Sequence, residues 1–237
     1  MSSGIYIATA GAVAQSNALD ATSNNIANAS TAGFHGDRIT FREALTAAKS
    51  ADMSVVGAGT SRVDSQAGAL MQTNNPLDLA LEGDGMFGVQ TPNGARYTRS
   101  GNFKLDDTRR LVTADGLQVR GEGGAAIVIP PEAQAIAIGA DGSVSADGTA
   151  VGKLELINFQ PKQLKREGAS LFSASGKPLV GEPPKVRSGM LESSNVNVVR
   201  GVVDLVKVSR TYESLMRVIQ GYHDVESRAA RDLGGPK

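Results

Sequence analysis

Apolar residues recur every seven positions at both ends of this chain, and the period disappears between them. Near the N-terminus Ile5, Ala12, Leu19 and Ile26 are spaced by seven, with Ala8, Gln15 and Thr22 at the intervening positions. That spacing predicts an amphipathic helix from about residue 3 to 29, roughly 40 Å long at 1.5 Å rise per residue, with an a/d seam weakened by two polar members. Near the C-terminus Val198, Leu205, Tyr212 and Ile219 repeat the spacing, with Val202, Ser209, Met216 and His223 between them. Val199, Val203, Val206, Leu215, Val218 and Tyr222 lie beside that second seam. The resulting stripe is wider than a two-stranded coiled coil needs, so more than one neighbour is implied.

Between the helices the turn dipeptides Asn93-Gly94, Asp115-Gly116, Asp141-Gly142 and Asp147-Gly148 separate short apolar runs. Asn-Gly and Asp-Gly supply the positive φ angles of tight hairpins, so Phe87 to Gln90, Arg110 to Thr113, Ala125 to Ile129, Ile136 to Ile138 and Lys153 to Phe159 read as strands of a mainly antiparallel domain. The expected fold class is α+β: long terminal helices pairing as a coiled-coil stalk, with a β domain inserted between them. The expected division is 1–35 plus 195–237 for the helical domain, 36–64 for an extended connector and 65–194 for the β-rich domain. Thr46 to Val63 carries neither period firmly, and the connector is expected to order only against a partner.

Charge and composition narrow the function classes. The 24 basic and 24 acidic residues cancel, so no bulk charge draws the chain to nucleic acid. The sequence contains 0 cysteines, which removes disulfides and thiolate chemistry. No apolar run approaches the roughly 20 residues that cross a bilayer, so the chain is not expected to span a membrane. The opening MSSGIYIATAGAVAQ lacks a basic n-region, so a cleavable secretory signal is not supported.

One motif imitates a cofactor site. Gly83-Asp84-Gly85-Met86-Phe87-Gly88 fits G-x-G-x-x-G, but a dinucleotide site needs a helix N-terminus immediately after the glycines. The following VQTPNGARYTRSGNF predicts a hairpin instead, so Gly83 and Gly85 are read as turn residues. His35 and His223 have no second ligand at a usual metal spacing, and each reads as a satisfied or solvent-facing histidine. No catalytic residue, metal or cofactor is expected.

The oddest run is SNNIANASTAGF, residues 23–34, where polar residues interrupt a plausible helix. Counted from Ile26 at an a position, Asn25 falls at g and Asn28 at c, both off the seam. Locally, such residues near a helix end bond backbone groups, Gly33 supplies a left-handed stop and Phe34 packs back. Together with the preceding IYIATAGAVAQSNALDAT, this run resembles the N-terminal signature of the bacterial flagellar rod and hook proteins. The segment from NNPLDLALEGDGMFGV to LVTADGLQVRG looks like that family's β-domain core, and SGMLESSNVNVVRGVVDLVKVSRTYESLMRVIQ is similar to its C-terminal motif. The moderate length leaves little room for the larger insertion of hook members, so the resemblance points to the rod. His35 is a departure, because the family commonly has Lys after the Phe.

The resemblance implies a structural subunit, not an enzyme, that stacks helically with copies of itself and other rod proteins. Its terminal helices would line the inner tube, and it would be exported unfolded through the flagellar type III apparatus to the basal body in the periplasmic space. It directs attention to Ile5, Ala8, Ala12, Leu19, Asn25, Ile26 and Asn28 on one helix, and Leu205, Tyr212, Met216 and Ile219 on the other, as inter-subunit packing positions. Packing within the chain is the alternative for each.

Overall fold

The computed structural model describes residues 3–45 and 54–233, and the chain divides into two compact units. The first comprises residues 1–27, 37–62 and 197–237, and the second residues 28–36 and 63–196. The fold is α+β, with two terminal helices and a central antiparallel β region.

In the first unit, helix α1 spans Ser3–Ala27 and helix α2 spans Val198–Leu233. Asn197 caps α2, its side-chain oxygen accepting the Arg200 N–H at 3.0 Å, one of the donors that a helix start leaves without an intrahelical partner. The helices run antiparallel: Gly4 lies under Tyr222, Gly11 under Leu215, and Gly201 against Ile26. Gly4, Gly11 and Gly201 at this contact are absent from the expected seam. On α1, Ile5, Gln15, Leu19, Thr22 and Ile26 of the expected seam are half-buried and Ala8 and Ala12 are buried, and Gly4 and Gly11 join them at the contact. On α2, Leu205, Ser209, Tyr212, Met216 and Ile219 of the expected seam are half-buried, Val202 and His223 are exposed, and Gly201, Leu215 and Tyr222 lie at the contact. A hydrophobic count gives glycine no weight, yet a missing side chain is what lets two backbones approach, and a Cβ on Gly201 would sit 2.9 Å from Ile26 Cγ1. Thr22 is tolerated at the contact because its hydroxyl donates to the Ala18 carbonyl one turn back, at 2.8 Å.

The region expected to be an extended connector contains two paired strands, Asp37–Leu45 and Ser54–Val63. The sequence carries the reason: Ile39, Phe41 and Leu45 fall on alternate positions of the first strand, and the second is rich in β-branched residues. Residues 46–53 of that connector lie outside the described residues.

The second unit is a set of antiparallel sheets. The largest runs, in spatial order, through Leu164–Arg166, Leu171–Ala174, Gly94–Thr98, Met86–Thr91, Gln118–Val119, Leu111–Thr113 and Phe103–Leu105, with Leu156–Ile157 joining Met86–Thr91. A three-stranded sheet pairs Ile136–Ile138, Ser143–Ala146 and Thr149–Lys153. The Asp147-Gly148 hairpin has φ of 47° and 81°, the two positive values of a type I′ turn. Ala125 to Ile129, expected as a strand, contributes only the isolated bridges of Ala126 and Val128, although Ile127 and Ile129 are core residues. Lys153 to Phe159 holds the last residue of strand Thr149–Lys153 and the whole of the short strand Leu156–Ile157. Two further pairs join the beginning of the unit to its end: Leu79–Glu82 with Lys185–Ser188, and Leu70–Gln72 with Met190–Glu192.

A single apolar cluster fills this unit, with Leu79, Leu81, Phe87, Phe103, Leu111, Val119 and Val186 among its members. Phe87 and Phe103 meet edge to face with centroids 5.1 Å apart, the arrangement aromatic quadrupoles favour. The G-x-G-x-x-G match is resolved here too. Gly83 and Gly85 lie in the turn between strands Leu79–Glu82 and Met86–Thr91, so a strand follows them where a nucleotide site requires a helix. Gly85 sits against Pro184, whose Cγ would lie 2.5 Å from an added Cβ.

Candidate functional site: the loop anchor and the exposed helix faces

The segment that follows α1 answers the question raised by SNNIANASTAGF. Residues 28–36 belong to the β unit rather than to the helical one, which the expected boundary at residue 35 had not separated. Within the helical unit, Asn25 clamps the point of return: its amide Nδ2 donates to the Asp37 carbonyl at 2.9 Å, and its Oδ1 accepts the Asp37 N–H at 2.8 Å. Asn28 turns the chain locally, its carbonyl and side-chain oxygen accepting from the Thr31 N–H and hydroxyl at 3.1 and 3.2 Å. The Asn25 amide therefore bonds the chain's own backbone, and the Asn28 side chain accepts from the Thr31 hydroxyl.

Gly33 follows with φ 65°, the left-handed conformation, and its missing Cβ leaves room for the Arg99–Ser100 backbone. Its N–H donates to the Glu192 carbonyl at 2.7 Å. Phe34 is wholly buried, with the Arg166 guanidinium 4.7 Å from its ring centroid and 5.0 Å from that of Phe172. Phe34 thus inserts into the β unit, a distant contact that the local reading of packing back could not supply. Arg166 also donates through Nη2 to the His35 carbonyl, and Gly36 donates to Asn195 Oδ1 at 2.8 Å.

At the centre lies a buried polar cluster. His35, Arg99 and Glu192 are 4%, 5% and 1% exposed. His35 Nδ1 lies 2.9 Å from the Asp64 carbonyl and Nε2 lies 2.8 Å from Glu192 Oε1. Glu192 Oε1 also accepts the Gly68 N–H at 3.0 Å, and Oε2 faces Arg99 Nε at 3.4 Å. Arg99 Nη2 donates to the Gly83 carbonyl at 3.0 Å. Burial pushes the Glu192 carboxyl up, but the His35 hydrogen bond, the Arg99 charge and the Gly68 N–H outweigh it and hold the group below the usual carboxylate range. His35 is therefore a satisfied histidine, as its sequence context predicts, while its partners lie too far away in sequence to be foreseen. His223 is exposed on α2. Among the described residues no cluster of three or more His, Asp or Glu could hold a metal, and no helix is long and apolar enough to cross a membrane.

The helical unit shows the opposite character. Ala8 and Ala12 are buried, and Ile5, Leu19, Ile26, Leu205, Tyr212, Met216 and Ile219 are half-buried. Leu19 and Leu205 line one groove together. The apolar residues that remain open are different ones: Val199 at 76%, Val203 at 63% and Val225 at 65%, with Val198, Val202, Val206 and Val218, and Tyr6 and Val13 on α1. Residues 199, 202, 203 and 206 are one turn apart and form a continuous row on α2.

The two antiparallel terminal helices leave an apolar row open, and the β unit between them in sequence has its own buried core. Residues 5–35 match the family described as Flagella basal body rod protein, residues 80–146 the Flagellar hook protein FlgE/F/G D1 domain, and residues 187–232 the Flagellar basal body rod FlgEFG protein C-terminal. The chain is 32% identical over 241 residues to the flagellar basal-body rod protein FlgF of Rhizobium meliloti, covering 100% of both chains. It is 35% identical to FlgF of Salmonella typhimurium, covering 97% of each chain. It is also 35% identical to the rod protein FlgG of Bacillus subtilis, over 85% of this chain and 88% of that one. The chain belongs to the flagellar basal-body rod protein family.

Proposed function

We propose that this chain is a FlgF-type structural subunit of the flagellar basal-body rod, in its proximal segment, and that it carries no catalytic activity. The observation that carries the reading is the pairing of end-to-end similarity to rod proteins with a row of open valines on α2. Similarity to FlgF spans the whole chain and similarity to FlgG reaches 97% of it, so a FlgG-type subunit is the second reading.

In this reading α1 and α2 form a coiled-coil stalk whose glycine-lined contact row is satisfied within the subunit. The valine row and the outer residues of α1 then face copies of this chain and other rod proteins. Ile5, Leu19, Met216 and Ile219, half-buried in the single subunit, would be covered fully by those neighbours, while Ala8 and Ala12 permit close approach of helices. A heterologous contact that does not close on itself builds a helical shaft, and its repetition lets torque pass from subunit to subunit. Export through the flagellar type III apparatus would deliver the chain unfolded to the periplasmic part of the basal body.

The test replaces Val199, Val203 and Val206 by Asp in the full chain. Monomer stability is expected to change by no more than about 1.5 kcal/mol, about 0.5 for each exposed position, because such positions contribute little to folding. Incorporation into purified basal bodies is expected to be lost. Normal incorporation of a folded triple variant would sink the reading, and a density map of the assembled rod would assign the segment.

A further inference from the structure

Each glycine at the helix contact has a companion. Two positions after it comes an exposed apolar side chain: Tyr6 after Gly4, Val13 after Gly11 and Val203 after Gly201, at 60%, 51% and 63% exposure. Two residues turn a helix by about 200°, so each of these side chains stands on the side of its helix away from the partner helix. The helix pair therefore carries two apolar back faces pointing in opposite directions, one on α1 and one on α2.

Charge distinguishes the parts of these faces. The first charged residue of α1 is Asp20, so its back from Tyr6 through Thr9 and Val13 to Ser16 is uncharged. The back of α2 begins with Val199, Val203 and Val206 and continues with the exposed Arg210, Glu213 and Arg217. Covered by the uncharged face of α1, the charged part would lose hydration without gaining a partner, whereas the valine part would only remove apolar surface from water. Tyr6 and Val13 are also separated by the same length of helix as Val199 and Val206.

We propose that the α1 back face of one copy packs on the valine row of the next copy, with Tyr6 against Val206 and Val13 against Val199. The inference rests on the rod reading above and names the surface that covers the valines. Copies in a heterologous stack share one direction, so α1 meets its neighbour's α2 antiparallel, as it meets its own. Within the chain Gly4 lies under Tyr222, which puts Tyr6 level with Gln220; against the neighbour it is level with Val206 instead. That displacement of about 14 residues sets neighbouring copies about 21 Å apart along the helix axis at 1.5 Å per residue. With the two faces on opposite sides of the pair, every copy offers one and receives the other, and the contact repeats without closing on itself. Two valine rows facing each other would instead close as a two-fold dimer and leave Tyr6 and Val13 in water.

Because the sequence contains 0 cysteines, introduced thiols read the register directly. The full chain carrying Val13→Cys with Val199→Cys is expressed in place of the wild type, and purified basal bodies are oxidised and resolved without reductant. Within one chain Val13 is level with Glu213, too far from Val199 for a disulfide, whose Cα atoms lie within about 7 Å. A ladder of crosslinked copies is expected, and the same ladder from Tyr6→Cys with Val206→Cys. Each single variant, and the unshifted pair Val13→Cys with Glu213→Cys, is expected to run as monomer. Normal incorporation without a ladder overturns the contact. So does any crosslinked product of a single variant, whether a dimer through two valine rows or an adduct with a different protein. Absence of even the wild-type chain from basal bodies would bring down the rod reading, and this contact with it.

Discussion

The two units of this chain solve burial in opposite ways. The β unit buries Phe34, Phe87 and Phe172 completely and gathers His35, Arg99 and the Gly68 N–H around Glu192. The helical unit spends glycine and alanine on its internal contact and leaves Val199 and Val203 mostly in water. One unit encloses its phenylalanines, and the other leaves most of its valines open. Small residues bring helices close but bury little area, so a contact of this kind contributes less per residue than the aromatic cluster does.

The sharpest way to break that contrast is to damage the β unit. Phe87→Ala removes a fully buried ring packed on Phe103 and is expected to cost about 3–5 kcal/mol, read as a shift of the urea midpoint. A loss as large from Leu215→Ala, which truncates a half-buried side chain of α2, would erase the contrast.

Next comes Gly33. An alanine there pays about 1–2 kcal/mol for its left-handed conformation at φ 65° and also meets the Arg99 backbone. Gly83→Ala, with open space around its Cβ, is expected to lose less in the same denaturation series. Equal losses would mean that the close approach at Gly33 carries no energy.

Asn25→Ala deletes both bonds to Asp37 and is expected to cost about 1–2 kcal/mol, with amide exchange accelerated at Asp37 and the β unit unaffected. If that exchange is unchanged while basal-body incorporation fails, the amide acts between subunits instead.

Acid gives the smallest of these effects above pH 4. The Glu192 carboxyl is held below its ordinary range in the folded state, so its stabilisation is complete above the unfolded value, about 4.3, and is lost as pH falls through the lower folded one. The stability difference between the wild-type chain and Glu192→Gln is expected to shrink from pH 6 to pH 3. A constant difference would show that the carboxylate charge is not what stabilises the anchor.

Much of this arrangement was legible in the residues. Helix type and extent followed from the seven-residue repeat, and the Asp147-Gly148 hairpin followed from the two positive φ angles its residues adopt readily. The expected seam missed Gly4, Gly11 and Gly201 because side-chain hydrophobicity cannot register a contribution that is an absence of atoms. The paired strands within 37–63 were concealed by Gly57 and Gly59, which weaken a strand pattern. Gly33 was legible as a left-handed stop, but the destination of Phe34 was not, because Arg166 and Phe172 are set beside it by the sheet. The amide of Asn25 could have been assigned to the chain's own backbone only by knowing that Asp37 returns to it.

The anchor also orders events in time. His35 and Glu192 are 157 residues apart, so the contact cannot close until nearly the whole chain is available. In a chain delivered N-terminus first, α1 and the polar run after it emerge long before their partners. Bringing ends together over such a span is slow even though its entropic cost grows only logarithmically with length. The polar run can therefore dock only on a chain that already extends to strand Met190–Glu192, so a truncated subunit would lack the anchor however well its first helix had formed.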